Sequence, residues 1–178
     1  MKPLVQFIQE KLIIKKNKAT NYKYFPETKE ELQDIIKQRI KQEGIEVNLN
    51  DIDVSHITDM SNLFEFLEFN GDISQWDVSN VNDMTSMFYG CENFNQDISY
   101  WSVSNVKDMS SMFEGCDLFN KDISAWDVSN VTDMSGMFFQ CKLFNQDISN
   151  WDVSNVKDKD YIFNDCPIER KYKPKFSV

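Results

Sequence analysis

The feature that most constrains this chain is a spacing. Trp76, Trp101, Trp126 and Trp151 form one column, Phe88, Phe113, Phe138 and Phe163 a second, and Cys91, Cys116, Cys141 and Cys166 a third, every gap being 25 residues. A fixed period of roughly 20 to 50 residues marks stacked units, none of which buries its own apolar face alone. Full units run over 72–96, 97–121 and 122–146. A degenerate unit starts at Leu49, with Ile52 where later units have tryptophan, and it has no cysteine. The last starts at Asp147 and ends near Cys166; there Lys159 replaces the methionine of Met84, Met109 and Met134, and Asp160-Tyr161 breaks the pattern, as expected of a terminal cap.

A stack exposes the core of its first unit unless something covers it, and residues 1–48 are read as that cover. Leu4, Phe7, Ile8, Leu12 and Ile13 fall at helical spacing. Thr28 with Glu31 makes a capping box, and Leu32, Ile35, Ile36 and Ile40 line one face up to Gly44, which predicts a second helix. Residues 167–178 form a basic tail. The division is thus a helical cap over 1–48, a repeat region of about five units over 49–166, and the tail.

Charge is divided along the same lines. The formal net charge is −10, and residues 49–166 hold 21 acidic against 5 basic side chains. Such an array repels phosphate backbones, so nucleic acid is not an expected partner. No apolar run approaches the ~20 residues that span a bilayer, and Glu10 and Lys11 interrupt the segment that would serve as an export signal. A cytoplasmic or particle-associated location is the expectation from residues alone. All four cysteines share one column, which reads as an inward thiol ladder. Rungs roughly 4.8 Å apart leave disulfide pairing within reach in an oxidising compartment.

Inside one unit, Ile98-x-x-Trp101-x-Val103-x-x-Val106 has the apolar spacing of a leucine-rich repeat, in which Trp101-Ser-Val103 would be a short parallel strand. Asn105 would cap a short helix, with Asp108 beside its positive end, and Val106, Met109, Met112, Phe113 and Cys116 would form its inner face. The fold expected is therefore an α/β leucine-rich-repeat solenoid of short parallel strands and short helices behind a two-helix N-terminal cap. The units Phe144-Asn-Gln-Asp-Ile-Ser-Asn-Trp-Asp-Val-Ser-Asn-Val156 and Thr132-Asp-Met-Ser-Gly-Met-Phe138 closely resemble the BspA-like leucine-rich repeats of bacterial surface proteins and mycoplasma lipoproteins. That resemblance covers residues 49–166. It implies a scaffold for adhesion and protein binding at the cell surface, and it carries over no catalytic residue.

The candidate chemistry is sparse. His56 follows Asp53, Val54 and Ser55, but it occupies the column of Asn80, Asn105, Asn130 and Asn155, which reads as structural. Three aspartate columns run through the stack: Asp72, Asp97, Asp122, Asp147; Asp83, Asp108, Asp133, Asp158; and Asp77, Asp127, Asp152, broken by Ser102. Stacked carboxylates are the oxygen ligands calcium takes, yet the glycine-aspartate pattern of calcium-binding solenoids is absent, and turns and helix caps account for the first two columns. No catalytic residue, metal site or cofactor is expected.

Partner binding is expected on the sheet face, through Gln75, Tyr100, Ala125 and Asn150 and the neighbouring Asp77, Ser102, Asp127 and Asp152. The first of these columns varies between units while its neighbours repeat, as expected of positions without packing duty. The function read from the sequence is a non-enzymatic, monomeric interaction module binding a basic or neutral protein surface. The alternative is a structural or assembly component of a cellular or viral particle that binds through its helical end.

Overall fold

The computed structural model describes residues 21–176. The expected helix over Leu4 to Ile13 lies outside them. One α-helix is present among the described residues, α1 (Lys29–Glu43). Thr28 caps it: its side-chain oxygen accepts from the Glu31 N–H at 3.2 Å, and Glu31 accepts in turn from the N–H of Glu27, one residue before the cap. Gly44, at φ 92°, ends it and donates to the Ile40 carbonyl. Leu32, Ile35 and Ile36 are buried against the first coil. Polar ties fix the docking, since the Lys29 ammonium reaches Asp59 at 2.7 Å and Ser61 at 2.8 Å. The Arg39 guanidinium joins Glu43, Asp51 at 2.8 Å and the Asn48 carbonyl at 3.0 Å.

The repeats do not fold as an α/β leucine-rich-repeat solenoid. Among the described residues there is no named strand or sheet, only isolated parallel bridges: Tyr24 to Ile52, and one column through Asp59, Asp83, Asp108, Asp133 and Asp158. Nor does any unit contain a helix; the chain turns through each coil in tight steps. The apolar side chains of each unit face inward as their spacing requires, but the backbone that carries them is neither strand nor helix. Ile98 to Trp101 and Val103 to Val106 are two turns, each closed by an N–H donating to the carbonyl three residues back at 3.1 and 2.9 Å, with Ser102 as the hinge between them. Two such turns place four apolar side chains at the 3-2-3 spacing that also suits a leucine-rich repeat.

The segment taken for a helix fails for a related reason. In Met84 to Cys91, alternate N–H groups leave their own coil: Met84, Ser86, Phe88 and Gly90 donate to the carbonyls of Asp108, Ser110, Met112 and Glu114 at 2.8–3.0 Å. The intervening Met87, Tyr89 and Cys91 donate three residues back. An α-helix needs every N–H for a carbonyl four residues back, so half the donors would have to abandon the next coil. Side chains extend the ladder. Asn105 does not cap a helix; its amide donates to the Ser79 carbonyl of the preceding coil, as do Asn80, Asn130 and Asn155 to Ser55, Ser104 and Ser129. A further asparagine ladder, Asn70, Asn95, Asn120 and Asn145, accepts from the backbone N–H one coil on.

The core runs through the stack as continuous columns. Phe88, Phe113 and Phe138 stack at 5.7 Å, Phe94, Phe119 and Phe144 at 5.9 Å, and the two columns touch at 4.0–4.2 Å. The tryptophans are buried, and each indole N–H is satisfied by a carbonyl of the coil before, Trp126 by Ile98 at 3.1 Å. Cys91, Cys116 and Cys141 are buried free thiols, and Cys166 is half-buried. At the far end Ile168 is buried and Tyr172 and Phe176 pack on the last coil, so part of the basic tail closes the core. One edge there stays unpaired. The N–H groups of Tyr161, Phe163 and Asp165, whose counterparts Gly136, Phe138 and Gln140 donate to the last coil, have no acceptor among the described residues.

Candidate functional site

The eight residues singled out from the sequence are all exposed. They do not lie on a sheet, because there is none; they sit on the outer corners of the two turns that flank each tryptophan. Burial alternates sharply there, Trp101 and Val103 inward against Tyr100 and Ser102 outward, so the two columns run side by side along the stack. Tyr100 is 88% exposed, the most exposed large apolar side chain among the described residues. The column Gln75, Tyr100, Ala125, Asn150 is less idle than its variability suggests, since the Asn150 amide donates to the Ser124 carbonyl.

The aspartates are turn formers first. Asp127 accepts from the Ser129 hydroxyl at 2.6 Å and from its N–H at 3.1 Å, and Asp77 does the same with Ser79. Asp152 accepts from the Ser154 N–H. The hydroxyl and N–H of Ser129 hold the Asp127 carboxyl below its usual range. For Asp97 and Asp122, the N–H and then the hydroxyl of Ser99 and Ser124 have the same effect, opposed at Asp122 by Asp147 and Asp97. The Asp83 column forms equivalent turns through Thr85, Ser110 and Ser135. Each of these carboxylates thus spends one oxygen on its own turn. No group of three or more His, Cys, Asp or Glu side chains suited to a metal ion occurs among the described residues. His56 is exposed, at a position where later coils have the asparagine ladder.

The thiols are shielded. Burial pushes Cys91 up to about 12 and Cys116 and Cys141 well above the ordinary thiol value. Each buried Sγ donates to a phenylalanine carbonyl of the coil before, Cys116 to Phe88 at 3.0 Å.

Sequence reasoning missed a second feature, on the ladder side of the stack. A groove of about 390 Å³ opens over Gly136, between Ser111, Glu114, Phe139, Asp160 and Tyr161. Its signals were present as breaks in columns: Gly136 where Ser86 and Ser111 precede it, Phe139 where Glu114 does, and Tyr161 in the last unit.

Turn-built coils stacked at a 25-residue interval, with polar ladders outside and aromatic columns inside, define a repeat protein. The family model described as "Mycoplasma protein of unknown function, DUF285" matches residues 31–128 and 100–168, so the chain belongs to that family. No curated protein and no solved structure matches it. No helix among the described residues is long and apolar enough to cross a membrane.

Proposed function

We propose that this chain is a non-enzymatic interaction module that binds a basic or neutral protein surface through the paired columns Gln75, Tyr100, Ala125, Asn150 and Asp77, Ser102, Asp127, Asp152. The observation that carries this reading is that both columns are exposed along their whole length, with Tyr100 at 88% the most exposed large apolar side chain among the described residues. The resemblance to BspA-like repeats, with their adhesive and protein-binding roles, supports it. Tyrosine at 100 offers a large rigid anchor of the kind enriched at binding hot spots. The outward carboxylate oxygens of Asp77, Asp127 and Asp152 would steer a basic partner. Among the described residues of the helical end, Glu30, Glu31, Asp34, Lys37, Lys41 and Glu43 make the exposed side of α1 charged, which favours the turn columns over assembly through that side of the helix.

The test begins with capture from the native source by the wild-type chain and by a variant with Asp77, Asp127 and Asp152 changed to lysine. With the captured partner purified, Tyr100→Ala should weaken binding by about 1 to 3 kcal/mol. Changing the three aspartates to asparagine keeps an oxygen for each turn and removes the charge, so association should slow and its salt dependence flatten. Unaltered affinity, on-rate and salt response in both variants would move the site off these columns.

A further inference from the structure

The groove over Gly136 asks why glycine stands there. Asn62, Ser86, Ser111, Gly136 and Tyr161 form one column, and all five have φ between 52° and 63°. The left-handed backbone therefore belongs to the ladder and is met by serine, asparagine and tyrosine as well. What glycine contributes at 136 is the missing side chain: a Cβ there would come within 3.1 Å of both the Glu114 Oε2 and the Ser111 Oγ. The gap is walled by Phe139, half-buried, and by Tyr161, 68% exposed. The Glu114 carboxylate lies at its floor, Asp160 lines it, and none of its lining residues is basic. The Ser111 hydroxyl holds the Glu114 carboxylate at 2.7 Å, and neither carboxylate has an ion pair among the described residues.

The geometry points to a receptor for a cationic side chain, an arginine presented by a partner protein, on a face separate from the turn columns. Aromatic faces attract a cation through their quadrupole, and a planar guanidinium both stacks on a ring and bridges carboxylates. A neutral apolar occupant would desolvate the Glu114 carboxylate with nothing in return, and an anion would be repelled by it. The volume lies at the low end of the range for ligand pockets and the groove is open, which suits one protruding side chain.

The test is a two-dimensional NMR titration of the whole chain with N-acetyl-arginine N-methylamide, with the citrulline counterpart as neutral isostere and the lysine counterpart as the competing cation. The expected result is saturable shifts confined to Ser111, Glu114, Gly136, Phe139 and Tyr161, stronger for arginine than lysine and absent for citrulline. Gly136→Ser fills the gap with the residue that the same backbone carries at 86 and 111, and should weaken binding about tenfold. Tyr161→Ala, at an exposed position, removes one wall and should weaken it several-fold, so the prediction stands even if serine at 136 perturbs the fold. Equal binding of citrulline, shifts spread over the aspartate columns instead of the groove, or undiminished affinity in either variant would overturn it. Lysine binding as well as arginine would overturn the preference for a guanidinium.

Discussion

Replacing Trp126 by alanine tests the stack where it is most coupled. The indole is 4% exposed in the central coil, lies 6.2 Å from the Phe113 ring, and donates to the Ile98 carbonyl of the coil before. Alanine removes nearly the whole ring and leaves a cavity that aromatic columns fixed above and below cannot collapse to fill. Tryptophan or phenylalanine to alanine in such a core costs about 3 to 5 kcal/mol. Within that total, stranding the Ile98 carbonyl accounts for about 1 to 3 kcal/mol. Trp126→Phe separates the two terms, since it keeps much of the apolar contact and drops the N–H; about 1 to 2 kcal/mol is expected. Urea melts followed by circular dichroism should show a lower midpoint and a broader transition, because each coil contacts only its neighbours and a weak central coil reduces the coupling between the two halves. A loss under about 1 kcal/mol for the alanine variant, or equal losses for alanine and phenylalanine, would refute this account of the column.

Acid should unfold the protein through its turns. The carboxyls of Asp97, Asp122 and Asp127 lie below their usual range in the folded chain, so their contribution is full above the unfolded value of about 3.9 and is lost as pH falls through the folded values; melting temperature should fall steeply only below about pH 4. A melting temperature flat down to pH 2 would contradict it. With a thiol reagent under native conditions, half-buried Cys166 should react first and Cys91, Cys116 and Cys141 only on unfolding, which peptide mapping of the labelled protein checks. Arg39→Ala removes the ties from α1 to Asp51 and to the Asn48 carbonyl, while Lys23 still pairs with Asp51 at 3.0 Å, and should cost about 1 to 2 kcal/mol in denaturant melts.

The period, the inward columns and the cap helix were legible because each is dictated by burial or by a local signal. Tryptophan, phenylalanine and cysteine recurring in register have to face a shared core, and Thr28, Glu31 and Gly44 mark the ends of α1 wherever it packs. The state of the backbone inside a coil was not legible. Val106, Met109 and Met112 are three residues apart, which fits one face of a helix and equally a run of turns each closed three residues back. The choice is made by the next coil, whose carbonyls take the alternate N–H groups, and no residue within one unit reports that competition. The left-handed conformations at Ser86, Ser111 and Tyr161 were hidden for the same reason, since none is a residue type that announces positive φ. The groove was hidden because it arises from an absence, a glycine in a serine column, that has meaning only once the coils are stacked.

The same logic separates what the aspartates do for the fold from what they offer a partner. In each Asp-x-Ser step the turn needs one oxygen acceptor, and asparagine would supply it without charge. The ladder columns at 70, 95, 120 and 145 do use asparagine, so uncharged acceptors are in regular use along the stack. Where aspartate is kept instead, stacked like charges oppose one another, as Asp147 and Asp97 do at Asp122 and Asp152 does at Asp127. Fold stability alone does not require that opposition. The charge is therefore a property of the surface over and above the turn, which is why exchanging Asp77, Asp127 and Asp152 for asparagine should leave the fold and remove only the field proposed to steer a partner.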